Sequence, residues 1–104
     1  MIVVTTDTVP GREVTEVLGL VRGNSVRAKH VGRDFMAGLK NLVGGEMEAY
    51  SELMQEAREQ ATQRMISEAE SFGADAVVAA RYNTAAVAAG AAEILSYGTA
   101  VKLR

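Results

Sequence analysis

Residues 44–73 read GGEMEAYSELMQEAREQATQRMISEAESFG, and this stretch decides the fold. Met47, Tyr50, Met54, Ala57, Ala61, Met65, Ala69 and Phe72 recur at three- and four-residue spacing, one apolar stripe on an α-helix. Glu52, Glu56, Glu59, Gln63 and Glu70 lie away from that stripe. Glu46 and Glu48 fall in the first turn, where negative charge suits the helix dipole. Gly73 is a natural stop, because glycine adopts the left-handed conformation cheaply. The pattern predicts one helix beginning after Gly44-Gly45 and ending at Gly73. At 1.5 Å per residue it is about 40 Å long.

Working outward, the C-terminal third predicts two strands. The first, Ala76 to Tyr82, is short and β-branched at its centre. The second, Glu93 to Leu103, carries Leu95, Tyr97, Thr99, Val101 and Leu103 on one face. Ile94, Ser96, Gly98, Ala100 and Lys102 fall on the other. The alanine-rich run 85–92 between them reads as a hairpin loop. Gly73-Ala74-Asp75-Ala76-Val77 reads as a tight helix-to-strand junction. On the N-terminal side, Ile2 to Thr6 reads as a short strand, and Val9-Pro10-Gly11 signals a turn. Glu13 to Arg22 alternates as a strand, with Val14, Leu18 and Leu20 on one face and Val17, Gly19 and Val21 on the other. Gly19 and Gly23 point to a bulge or a close backbone approach. Phe35, Leu39 and Leu42 predict a short helix over 34–42.

The chain has 104 residues, which is one domain spanning 1–104. Eleven basic and 13 acidic residues give a net charge of -2, which excludes an electrostatically driven nucleic-acid binder. The absence of cysteine excludes disulfide scaffolds, thiolate metal sites and cysteine nucleophiles. No apolar run reaches the roughly 18 residues that cross a bilayer. The start, Met1 to Asp7, lacks a basic n-region. These features lead us to expect a soluble cytoplasmic protein with no membrane partner.

The expected fold is α+β: an antiparallel or mixed sheet packed on one long helix in two layers. Two features point to self-association. The helix is long for a domain whose radius of gyration should be about 13 Å. Residues 76–80 are apolar on both faces, whereas one helix covers a single face.

The ordered runs Val9-Pro10-Gly11, Gly19-Leu20-Val21-Arg22-Gly23, Gly44-Gly45-Glu46 with Tyr50, Arg58 and Ala61, Gly73-Ala74-Asp75-Ala76-Val77 and Tyr97-Gly98-Thr99-Ala100-Val101 resemble the YbjQ-like family. That family carries the label "putative heavy-metal-binding". The resemblance covers nearly the whole chain. It implies a dodecin-like fold and a ring-shaped homopentamer, and it brings no established reaction or cofactor.

Candidate site residues fall into two groups. His30 and Asp34, four residues apart, share a face if their segment is helical, and a ring would multiply such a weak metal site. Arg27 and Lys29 beside His30 oppose a cation, and the bland alternative is a polar surface stretch. Tyr50, Arg58 and Tyr97 are the candidate ligand-binding residues. An arginine flanking the apolar stripe can clamp a carboxylate or phosphate, or pair with a glutamate of its own or a neighbouring helix. Tyr97 can stack on a flat ligand. Gly44-Gly45 is not a phosphate loop, since no lysine follows and Glu46 and Glu48 repel anions. No Ser–His–Asp set is present, so no catalytic residue is assigned. The leading expectation is a non-enzymatic oligomer that binds a small ligand or metal ion at subunit junctions, or acts as a scaffold. The alternative is an enzyme whose site is shared between subunits.

Overall fold

In the computed structural model, residues 1–28, 45–88 and 91–104 are described. The elements are β1 (Ile2–Val3), β2 (Val14–Ala28), α1 (Gly45–Ser71), β3 (Ala76–Ala88) and β4 (Ala91–Leu103). The helix expected over 34–42 lies outside the described residues. The sheet is mixed and runs in the order β1-β3-β4-β2. β1 pairs parallel to β3, while β4 pairs antiparallel with both β3 and β2. α1 lies across one face, chiefly on β2 and β4, and barely touches β3.

The helix forms where the stripe placed it. Ala57, Ala61, Met65 and Ala69 are fully buried. Its end is a Schellman turn: Gly73 has φ 76°, its N–H donates to the Glu70 carbonyl at 2.9 Å, and the Ala74 N–H donates to the Ala69 carbonyl at 3.1 Å. Phe72 departs from the expected stripe and is 48% exposed, because the chain has already turned towards Gly73. The junction beyond is held to the end of β4. The Leu103 N–H donates to Asp75 Oδ2 at 2.9 Å, and Lys102 Nζ donates to the Gly73 carbonyl at 2.8 Å.

Small residues let the two layers approach. The helix-facing side of the sheet presents Val21, Gly23, Ser25, Val77, Ile94, Ser96, Gly98 and Ala100, all buried. A Cβ on Gly23 would overlap the backbone of Ala61 and Met65, so this is the close approach that a glycine in a strand implies. The two buried hydroxyls are paired, Ser25 Oγ with Gln60 Oε1 at 2.6 Å and Ser96 Oγ with the Met65 sulfur at 3.3 Å.

Gly19 supplies the bulge. With φ 127°, it sits at the register shift between Val17 and Gly19 in the pairing with β4. The extra residue reverses the strand's phase. Leu18 therefore packs with Val21 in the core, whereas Leu20, expected on the Leu18 face, is 62% exposed on the other. β2 also runs past Arg22 to Ala28. A second irregularity falls between Val78 and Arg81, where Ala79 takes φ 53°.

Two further expectations are corrected. The run 85–92 is not a loop: β3 continues through Ala88 and β4 begins at Ala91, in register across Ala85–Glu93 and Ala86–Ala92. Backbone pairing with β4 outweighs alanine's helical preference there. The strands are consequently as long as the helix. Thirteen residues at 3.3 Å each span about 43 Å, close to the length of α1. The molecule is elongated, with a Cα radius of gyration of 16.9 Å and extents of 52 × 22 × 16 Å.

The second face of residues 76–80 is covered from within the chain. Ala76, Val78 and Val101 form a cluster with Val4, Val9, Val14 and Leu103. The N-terminal segment is fixed there by Val4 N–H to Val77 O, Ala80 N–H to Val4 O and Ala79 N–H to Thr6 O, each 2.9 Å. Ile2–Val3 is thus shorter than the expected strand, but its pairing is extended by these bonds. The outer edge of β2 is latched by the helix: Glu68 Oε1 accepts from the Arg22 N–H at 3.3 Å, and Arg64 Nη1 donates to the Asn24 carbonyl at 2.6 Å. No helix among the described residues is long and apolar enough to cross a membrane.

Candidate functional site

Because α1 leans over β2 and β4, an open cleft of about 530 Å³ remains between its exposed flank and β3. It is lined by Gln55, Arg58, Glu59, Thr62, Gln63 and Tyr82. Helical spacing aligns Gln55, Arg58, Glu59 and Thr62 on that flank. Tyr82 reaches it from β3, since its partner across the ladder, Ser96, faces the helix.

The floor is a short hydrogen-bond chain. Thr62 Oγ1 donates to the Arg58 carbonyl at 2.8 Å, and it lies 2.7 Å from the Tyr82 hydroxyl. A threonine hydroxyl has one proton, so the Tyr82 hydroxyl donates to Thr62. Tyr82 remains 54% exposed. Arg58 is exposed and has no carboxylate within ion-pair distance among the described residues. Arg58 and the amides of Gln55 and Gln63 can donate to a planar carboxylate or phosphate group, while the Glu59 carboxylate on the same lining opposes one.

The structure separates the residues expected to bind ligand. Arg58 is in the cleft. Tyr50 lies on the same helix, eight residues earlier and about 12 Å along its axis, and its side chain is outside the described residues. Tyr97 points to the opposite side of the sheet, because Ser96 and Gly98 on either side of it face α1. His30 and Asp34 also lie outside the described residues. Among the described residues, no group of three or more His, Cys, Asp or Glu side chains is placed to hold a metal ion. Thr62 and Tyr82 were not singled out from the sequence. Tyr82 ends the strand read from the sequence, and the irregularity between Val78 and Arg81, which alternation does not reveal, turns it to the helix side.

A second, smaller hollow of about 430 Å³ lies at the β2 edge, among Arg22, Gly23, Asn24, Glu68, Glu93 and Leu95. Two carboxylates share it with one guanidinium, so it is electrostatically mixed.

Comparison with known proteins places this architecture. A UPF0145 protein of Archaeoglobus fulgidus is 62% identical over 104 residues, covering all of this chain and 96% of that protein. A UPF0145 protein of Methanosarcina acetivorans is 56% identical over 103 residues, covering 99% and 97%. The crystal structure of a protein of unknown function of the DUF74 family from Pediococcus pentosaceus superposes with a TM-score of 0.62 at 17% identity, covering all of this chain and 98% of that one. That likeness speaks for the fold alone. The YbjQ_1 family model, described as "Putative heavy-metal-binding", matches residues 1–104. With that match over its full length and relatives above half identity, the chain belongs to the YbjQ family, which includes the UPF0145 proteins.

Proposed function

We propose that the protein is a self-associating, non-enzymatic binding protein, working in the cytoplasm, in which small ligands sit at the junctions between copies. The observation that carries this reading is the bare half of β3. Residues 81–87 are exposed throughout, and α1 leaves their helix-side face uncovered. A strand edge of this kind invites a second chain. A homopentameric, dodecin-like ring is the state that the family resemblance implies. Rings need heterologous contacts, so the β3 arm of each copy would meet a different surface of the next. The neighbour would then roof the Arg58 cleft, which stands open in the single chain.

The expected ligand is a small anion held bidentately by Arg58, with the Gln55 and Gln63 amides as further donors. A second reading rests on the family's heavy-metal description. Without thiolate donors, that reading needs oxygen ligands and His30 with Asp34, repeated around the ring. A third, an enzyme with Arg58 and Tyr50 at a shared site, requires that the junction bring in an acid or base that one chain lacks.

Native mass spectrometry of the protein as purified tests the proposal. A pentameric mass supports it, and a monomer overturns it. Fixed extra mass per subunit identifies a bound ligand or metal. Arg58→Ala then separates two roles: an intact ring that has lost its adduct makes Arg58 a binding residue, whereas a dissociated ring makes it an interface residue.

A further inference from the structure

The sheet face away from α1 carries an arrangement independent of the Arg58 cleft. Register places Arg22 opposite Tyr97, and Tyr97 opposite Arg81, in one row across β2, β4 and β3. The next row is Asn24, Leu95 and Asn83. Side chains directly opposite on neighbouring strands have Cβ atoms about 5 Å apart. A phenol therefore sits between two arginine stems, and a leucine sits between two amides. Arg22, Arg81, Asn24 and Asn83 are exposed, while Tyr97 and Leu95 on the central strand are half-buried.

Among the described strand residues, this face carries two guanidiniums, Arg22 and Arg81, against one carboxylate, Glu93. Arg81 is fixed by Nη1, which donates to the Thr5 and Ala80 carbonyls, both at 2.9 Å. Neither Arg22 nor Arg81 has a carboxylate within ion-pair distance among the described residues. Glu68 approaches from the helix layer, but it accepts from the backbone N–H of Arg22. Glu93 lies on this face two rows from Tyr97, about 13 Å along the strand, and accepts from Asn24 Nδ2 at 3.4 Å. At the other end the N-terminal segment covers Ala76, Val78 and Val101, which gives the platform a raised border.

We propose that this face binds a planar aromatic anion, its ring over Tyr97 and Leu95 and its carboxylate or phosphate against Arg22 and Arg81. The central phenol supplies a π surface at little entropic cost, since it has only two side-chain torsions. The guanidiniums on either side supply forked donors for the acidic group. Asn24 and Asn83 supply donors and acceptors for ring heteroatoms. Three strands at about 4.8 Å spacing make the platform about 10 Å wide, enough for one fused bicyclic ring.

The test is a fluorescence titration with 1-naphthyl phosphate, compared with neutral 1-naphthol at fixed ionic strength. We expect saturable binding of the phosphate, about tenfold tighter than that of the naphthol, as one charge-assisted hydrogen bond would give. Arg22→Gln should weaken the phosphate about tenfold and leave the naphthol unchanged. Arg12→Gln removes the same charge elsewhere and should change neither. Tyr97→Leu should weaken both probes, and Tyr97→Phe, which keeps the ring, should restore them. The proposal is overturned by any of three results: no saturable binding of the phosphate, equal affinity for the two probes, or equal effects of Arg22→Gln and Arg12→Gln. Tyr97→Phe binding as poorly as Tyr97→Leu in a folded variant would also overturn it.

Discussion

The two ends of this sheet are built from the same three long strands and end up in different states. At the closed end, Val77 and Ala100 pack under Met65 and Ala69, while Ala76, Val78 and Val101 are covered from behind by Val4, Val9 and Val14. At the open end, β3 from Arg81 to Val87 is exposed, and its outer edge has no strand beside it among the described residues. The difference lies in cover rather than in the strands. The helix is one layer wide, and the N-terminal segment is long enough to close only one end. Among the described residues nothing else covers the open end, and we propose that a second copy completes it.

Substitutions should respond accordingly. The largest effect belongs to Gly23→Val. Its side chain would collide with the backbone of Ala61 and Met65, and backbone cannot rotate aside as a side chain can. We expect a loss above the usual overpacking range of about 1–3 kcal/mol, read as a large fall in the urea midpoint. An unchanged midpoint would contradict the close packing of the two layers. Met65→Ala at the closed end removes a fully buried side chain and a hydroxyl contact, and should cost about 3 kcal/mol in the same assay.

A smaller effect of opposite sign is expected at Ala79, which holds φ 53°, where L-residues carry strain of about 1 kcal/mol. Ala79→Gly should raise stability by up to about that amount, less what glycine gains in the unfolded chain. The thermal midpoint would show it. The smallest effect on the single chain belongs to Val87→Asp at the open end, where the side chain is 52% exposed. Subunit stability should change by less than about 0.5 kcal/mol, while the assembled mass falls by light scattering. If Val87→Asp destabilises the subunit as much as Met65→Ala does, the contrast between the ends is wrong.

Much of this was legible in the residues. The long helix followed from its stripe and from Gly73, and the faces of β4 followed from simple alternation. The bulge and the close approach were both anticipated at Gly19 and Gly23, although the phase reversal they produce was not. Alternation puts Leu18 and Leu20 on one face because it assumes an unbroken ladder. The alanine run 85–92 carries no period and has helical propensity, so only pairing with β4 shows it to be strand. Parallel pairing of Ile2–Val3 with Ala76–Val77 joins residues more than 70 positions apart, which no local pattern encodes. For the site, Arg58 was recognisable as a charge flanking the apolar stripe. Tyr82 was not, because unbroken alternation from Val77 puts it on the far face and the irregularity between Val78 and Arg81 turns it to the helix. Tyr97 was placed on the correct face of β4, but its arginine neighbours depend on registers that only the assembled sheet defines.

Hydrogen exchange of the Tyr82–Ala88 amides in the assembled protein tests the central claim most directly. The account predicts that the outward-facing amides of this segment are protected as strongly as those of Ala76–Ala80, and that dilution removes the protection. Free exchange of those amides at every concentration would contradict it, leaving the open end as a finished surface of a monomer.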